Sequence, residues 1–412
     1  MLRPRRIVFW GLVAVLTALS GCFPKSDTVF NDTEETDLTA ESELPLEADQ
    51  SLAFFNNYMM PPPISFNAAA PTVRGIYVTS NRAGSGQYLQ ELIDVCHNSD
   101  INSMVIDVRT EDGFVTFKGM EFADNLGVSV NNIPDVRETL AMLKENGIYV
   151  IARVVAFKDS NTQAFRPDLY IHEPDGSVWL DPNKVPWLNP YNPDACDYVL
   201  EFAKGAAEVG FNEIQFDYIR FAASARLDNA DFGETGGFSR TQVIEAFANR
   251  AMETLKPYGV KVSADVYGTI ISSDTDAGIV GQDYVGLARI LDVICPMVYP
   301  SHYANGSMGL DIPDLLPYDT IYKAMEMSNE RLDVIPEDEH RAVIRPWLQD
   351  FTATWLQNYQ RYTSAERGAQ IQGAYDAGLS EWLLWDPSNN YDSEGTGGAP
   401  GIKLASGGAE DE

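Results

Sequence analysis

Basic residues are scarce in this chain. Its 412 residues include 29 Lys and Arg against 60 Asp and Glu, a formal net charge of −31. A nucleic-acid partner needs clustered cations to displace counterions, so that class is excluded. A polyanion held on a broad basic surface is excluded for the same reason. Histidine and cysteine are equally sparse, at four each. His97, His172, His302 and His340 form no H-x-H or H-E-x-x-H cluster, and the cysteines show no C-x-x-C spacing. No metal site is expected from such a set. The G-x-S-x-G elbow of serine esterases is missing. No glycine-rich phosphate turn follows the first strand-like run, and no cofactor is expected.

The N-terminus carries Arg3, Arg5 and Arg6, then an apolar stretch over residues 7–19. That stretch is too short to span a bilayer. It ends in Leu19-Ser20-Gly21-Cys22, which resembles the bacterial lipobox. Residues 1–22 are therefore expected to be a lipoprotein signal, with Cys22 lipidated and the chain held to the cell envelope by acyl chains. Phe23 stands where an Asp marks inner-membrane retention, which points to the outer membrane in a Gram-negative cell. Cys96, Cys196 and Cys295 remain, and the two in apolar runs, Cys96 and Cys295, are expected as buried free thiols. Residues 23–70 set nine acids against Lys25 and end in Pro61-Pro62-Pro63 and Ala68-Ala69-Ala70. Such a segment repels itself and reads as an extended tether. Residues 391–412, rich in Gly, Ser and acids, read as a flexible tail.

Between these ends, apolar β-prone runs alternate with helical patterns. Strands are predicted at 73–79, 101–109, 149–155, 213–220, 261–267, 293–299, 342–349 and 381–386. Helices are predicted at 87–98, 134–146, 193–209, 240–258, 318–329 and 365–377, with only a turn at 281–290 after the fifth strand. Gly147, Gly210, Gly259 and Gly378 each stand where a helix should close before the next strand. Eight strands alternating with helices point to a (β/α)8 TIM barrel, one monomeric domain over 71–390. An open doubly wound sheet is the alternative.

Active sites of such barrels lie at the C-terminal strand ends. Read in order, those ends gather acids and aromatics. On the fourth strand Gln215 and Asp217 share a face, and on the fifth Ser263, Asp265 and Tyr267 do. The opposite faces are apolar and suit the helix layer. Asp217 and Asp265 should therefore face the mouth. Paired carboxylates are what glycoside hydrolysis needs, and adjacent strands ~4.8 Å apart can bring two within the ~5–5.5 Å of a retaining enzyme. Asp217 is expected as nucleophile and Asp265 as general acid/base. Substrate contacts are expected from Tyr77, Asp107, Arg109, Arg153, Gln215, Arg220, Tyr267, Tyr299, His302, Trp347, Gln349, Trp385 and Asp386. Sugars stack their C–H faces on aromatic rings and bond their hydroxyls to such polar groups.

Four stretches carry a family resemblance: Arg74-Gly75-Ile76-Tyr77, residues 210–221 (GFNEIQFDYIRF), residues 263–268 (SADVYG) and residues 296–303 (PMVYPSHY). They resemble a bacterial family of glycosyl hydrolase (β/α)8-barrel domains that is distantly alpha-amylase-like. The resemblance implies a (β/α)8 fold and glycosidase chemistry, with the nucleophile at Asp217, while the rim aromatics and the tether extend the reading to an extracellular or cell-wall polysaccharide as substrate. Alpha-amylase-like enzymes carry a Glu acid after strand five, where this chain has Asp265, one methylene shorter. Ala222 stands where the family pattern has Pro. The alternative is a lipoprotein that binds glycan in its barrel mouth without cleaving it. A structural envelope protein is a third reading, and it predicts mouth acids all neutralised by Arg.

Overall fold

A computed structural model describes residues 70–397 of the chain. Cys22, the segment 1–22, the tether up to residue 69 and the tail beyond 397 lie outside the described residues. The strands are β1 (Arg74–Val78), β2 (Ser103–Arg109), β3 (Tyr149–Val155), β4 (Glu213–Asp217), β5 (Lys261–Tyr267), β6 (Val293–Met297), β7 (Val343–Ile344), β8 (Trp347–Gln349) and β9 (Trp382–Trp385). Each pairs its neighbours in parallel. β1 also pairs with β9, and β5 with β6, so the sheet closes on itself.

The barrel has eight staves, because β7 and β8 are two pieces of one, both paired to β6. The break falls at Arg345-Pro346, and Pro346 has no N–H to give the ladder. Two bonds carry the stave across the gap, Arg345 N–H to the Ile294 carbonyl and Leu383 N–H to the Pro346 carbonyl, each 2.9 Å. The strand expected at 342–349 is thus shortened at its middle by one residue's chemistry.

Helices fill the gaps between staves: α1 (Gly86–His97), α2 (Val136–Glu145), α3 (Pro193–Val209), α4 (Arg240–Leu255), α5 (Tyr284–Ile290), α6 (Pro317–Leu332) and α7 (Ser364–Asp376). Their starts follow capping chemistry. Asn192 accepts the Asp194 N–H ahead of Pro193 at the opening of α3. Ser239 with Gln242, and Thr363 with Glu366, form reciprocal capping boxes on α4 and α7. The end of α3 shows why glycine stands there: Gly210 has φ 115°, a left-handed backbone that side chains resist. After β5, a short helix Asp274–Val280 and then α5 replace the single turn expected at 281–290.

Strand alternation divides the apolar residues into two layers. Met104, Ile106, Ile214, Phe216, Val262, Ala264 and Val266 face the helices in one large core. Val105, Ile151, Val293, Cys295, Trp347 and Leu383 form a second cluster inside the barrel. Below it lies a buried ionic floor, in which Arg345 bonds Glu213 at 2.7 Å and Glu381 at 2.7 Å. Ser263 donates to Glu213 from the next strand. Charges removed from water need such pairing, and here each has it. Cys96, Cys196 and Cys295 are buried free thiols. Among the described residues no helix is long and apolar enough to cross a membrane.

Candidate active site

At the opposite end of the barrel from this floor, β2, β3 and β4 present Asp107, Arg153 and Asp217 side by side. Arg153 divides its guanidinium between two carboxylates. Its Nε and Nη2 donate to Asp217 Oδ2 at 3.0 and 2.5 Å, and its Nη1 donates to Asp107 Oδ1 at 2.7 Å. The Tyr77 hydroxyl donates to the other Asp107 oxygen at 2.6 Å. Burial raises the Asp107 carboxyl above its ordinary value, against the pull of Arg153. Asp217 Oδ1 accepts from the backbone N–H of Tyr218 at 2.6 Å. Tyr218 has φ 52°, an uncommon backbone for an aromatic residue, and this turn brings its N–H back onto the carboxylate.

Asp265 stands on the neighbouring strand. The register Phe216↔Ala264 puts Asp217 and Asp265 one residue further on, at one level of the barrel. Asp265 is only 2% exposed, and its Oδ1 accepts the indole N–H of Trp347 at 2.6 Å. That partner is neutral. Burial, and after it the Asp217 carboxylate, push the Asp265 carboxyl well above its ordinary range. The two acids therefore have different settings: Asp217 faces a cation and Asp265 faces an indole.

Glu111, in the loop after β2, was not among the residues singled out by sequence. Its Oε1 lies 3.7 Å from the same Arg153 nitrogen that bonds Asp217 at 2.5 Å. The shared contact keeps the two carboxylates within roughly 6 Å, near the short class of catalytic spacing. Its side chain is 41% exposed and also pairs with Lys158. Burial of its oxygens works to raise the Glu111 carboxyl, but Arg153 and Lys158 outweigh it and hold the group below its ordinary value. Its only signal in the sequence is its place, two residues past a strand end.

Aromatic rings wall the acids. Tyr77 and Trp385 stack at 4.0 Å, and Arg153 lies over both rings. Trp347 meets Trp385 edge-on at 5.5 Å. Tyr299 contacts His302 and Phe351. Burial raises the Tyr299 hydroxyl, helped by the nearby Asp265 and Asp217 carboxyls. Burial also lowers His302, whose Nδ1 lies 3.0 Å from the Ser301 hydroxyl. Arg220 sits 4.5–4.9 Å from the ring centres of Trp187, Tyr218 and Tyr267 and fixes that side of the mouth.

Other expected contacts are placed elsewhere. Arg109 is fully buried under Tyr198 and Phe202 of α3, bonded to Asp159 and to the carbonyls of Val155 and Ala156. A register shift between Asp107 and Arg109 turns it out of the barrel. Gln215 lies a step below Asp217, against Cys295. Asp386 gives its oxygens to the Ser388 and Asn390 N–H groups and holds a turn. Gln349 is a buried cross-link: its Oε1 accepts the Ser301 N–H, and its Nε2 donates to Asp314 and to the Phe351 carbonyl. Trp179, a ring in the long loop after β3, is fully buried and is not open to a sugar.

Residues 75–391 match the family model described as "Putative glycosyl hydrolase domain". No curated protein is similar to the chain. The PgaB (BpsB) glycoside hydrolase domain from Bordetella bronchiseptica shares the fold, with a TM-score of 0.57 and 13% identity over 77% of this chain and 94% of that one. A hypothetical protein from Ruminiclostridium thermocellum is 35% identical over 46% of this chain and 97% of its own, at a TM-score of 0.43. An alpha-galactosidase from Thermus thermophilus aligns over 82% of this chain and 62% of its own, with 13% identity and a TM-score of 0.45.

Proposed function

The chain belongs to this glycosyl hydrolase domain family, and from that premise we propose that it cleaves glycosidic bonds of an extracellular or cell-wall polysaccharide with Asp217 and Asp265. One observation carries the reading. Two inward carboxyls at one level of the barrel have opposite settings, one paired to a cation and one buried against a neutral donor. Such divergence assigns base-like and acid-like roles. A purely structural set of mouth acids would be neutralised by Arg throughout, and Asp265 accepts from Trp347 instead.

In the proposed reaction a sugar occupies the space before Asp217, against Tyr77 and Trp385. Asp217 attacks the anomeric carbon as Asp265 gives its proton to the leaving oxygen. A glycosyl ester forms and the glycosidic bond breaks. Asp265, now ionised, takes a proton from water, which attacks the ester and frees Asp217. Arg153 orients Asp217 and offsets the charge that returns to it.

The test is release of reducing ends from α-glucan, β-glucan, galactan and amino-sugar polymers. Wild type should cleave at least one. Asp217→Asn and Asp265→Asn should each lose about a hundredfold or more in kcat. No cleavage of any polymer by wild type, or full activity in Asp217→Asn, sinks the reading. The lipobox-like Leu19-Ser20-Gly21-Cys22 supports a further proposal, that the protein is exported and held to the envelope by lipid on Cys22. Labelling with radioactive palmitate checks it: wild type takes up label, and label retained by Cys22→Ser overturns it.

A further inference from the structure

The loop 350–363, between β8 and α7, carries an aromatic ledge leading away from the acids. Tyr299, beside Asp265 and Asp217, lies 5.8 Å from the ring of Phe351. Phe351 stacks on Trp355 at 5.9 Å with the planes 23° apart. His302 closes the angle between them, 6.3 Å from Trp355. Trp355 is 55% exposed, the most open aromatic ring among the described residues.

The loop has no regular secondary structure, yet it is held firmly. Asp314, 2% exposed, accepts the Gln360 N–H and the Gln349 amide, and its carbonyl accepts the Tyr362 hydroxyl. Tyr362 N–H in turn donates to Thr352 at 3.0 Å. Long loops pinned in this way are commonly functional. An indole presented to solvent on a fixed loop costs hydration free energy unless a ligand covers it.

We infer that Trp355 and Phe351 form a binding subsite for a pyranose ring of the glycan strand, beyond the sugar that reacts. The inference rests on the glycosidase reading for the direction of the strand. Phe351 and Trp355, set outward from the buried Tyr299, give a sugar beyond the reacting one apolar faces to stack on, while His302 offers a hydroxyl partner. An enzyme with such a ledge binds long chains better than short ones.

The full chain is tested for binding to an array of α-gluco-, β-gluco-, galacto- and chito-oligosaccharides of one to eight sugars. Wild type should gain affinity with length in one series. Trp355→Ala should lose about tenfold or more for the longer members, with little change for one or two sugars, while Trp355→Phe keeps most of the gain. Its melting temperature should match wild type, since the ring is exposed. Length dependence unchanged in Trp355→Ala overturns the subsite, and so does a wild type that binds nothing on the array. Asp217→Asn separates the two readings. If it hydrolyses like wild type while Trp355→Ala loses long-chain binding, the ledge stands and the catalytic assignment falls. If it is inactive while Trp355→Ala binds normally, only the ledge falls.

Discussion

Arg153 bonds two carboxylates from the strands on either side of it, while Asp265, one strand further round, feels that cation only at a distance and bonds the neutral Trp347 indole. The difference has a measurable sign. The Asp265 carboxyl is raised, first by burial and then by Asp217. A raised carboxyl favours the folded state while it is protonated. That contribution is complete below the unfolded value near pH 4 and is lost as pH climbs through the folded value. Asp265→Asn keeps an oxygen for the Trp347 N–H and cannot ionise. Its melting temperature should therefore equal or approach that of wild type near pH 4 and exceed it increasingly as the pH rises. A constant difference across pH would refute this. Asp217 and Asp265 were legible in the sequence because alternation on β4 and β5 puts apolar residues on the other face. Arg109 was misread by the same rule, since the register shift after Asp107 breaks the alternation. Glu111 and Trp355 lie on loops, where no period constrains the side chain.

Among the elements, helix starts and ends followed local chemistry closely, and α3 has the bounds expected from Asn192-Pro193 and Gly210. The seventh stave and the region after β5 were harder. Pro346 breaks a ladder that reads as continuous by hydrophobicity, and α5, at seven residues, spans fewer than two turns, too few for a helical pattern to stand out. Helix α4 packs against α5 through an unusual contact: Glu245 approaches Gly286, where a Cβ would lie only 2.2 Å from the carboxylate oxygen. Burial, and then the neighbouring Asp283, push the Glu245 carboxyl up to about 7. The same linkage applies to this pair of helices. Stability contributed by protonated Glu245 is present below pH 4.5 and gone above about 7. Glu245→Gln should leave unfolding by urea unchanged at pH 4 and make the protein more resistant at pH 8. Equal shifts at both pH values would show that the carboxyl is not the source.

For the whole molecule, the barrel was legible because it repeats: eight strand signals, each followed by a helix or turn, leave few other topologies. The composition was informative mainly by exclusion, and it said nothing of how the strands close. Closure rests on the pairing of β1 with β9. The loop after β9 tightens that seam, with Asn389 bonding Thr79 at 2.8 Å and the Tyr77 carbonyl at 3.1 Å, and Tyr391 reaching the same carbonyl at 2.9 Å. Tyr77 and Trp385, which stack across it, form one wall of the mouth. During synthesis the first half of that wall leaves the ribosome some three hundred residues ahead of the second. Contacts so distant in sequence are slow to form and leave strand edges open meanwhile. The barrel therefore stays an unclosed sheet, with β1 unpaired on one side, until β9 is in place, and the mouth that holds Asp217 and Asp265 is among the last parts of the fold to form.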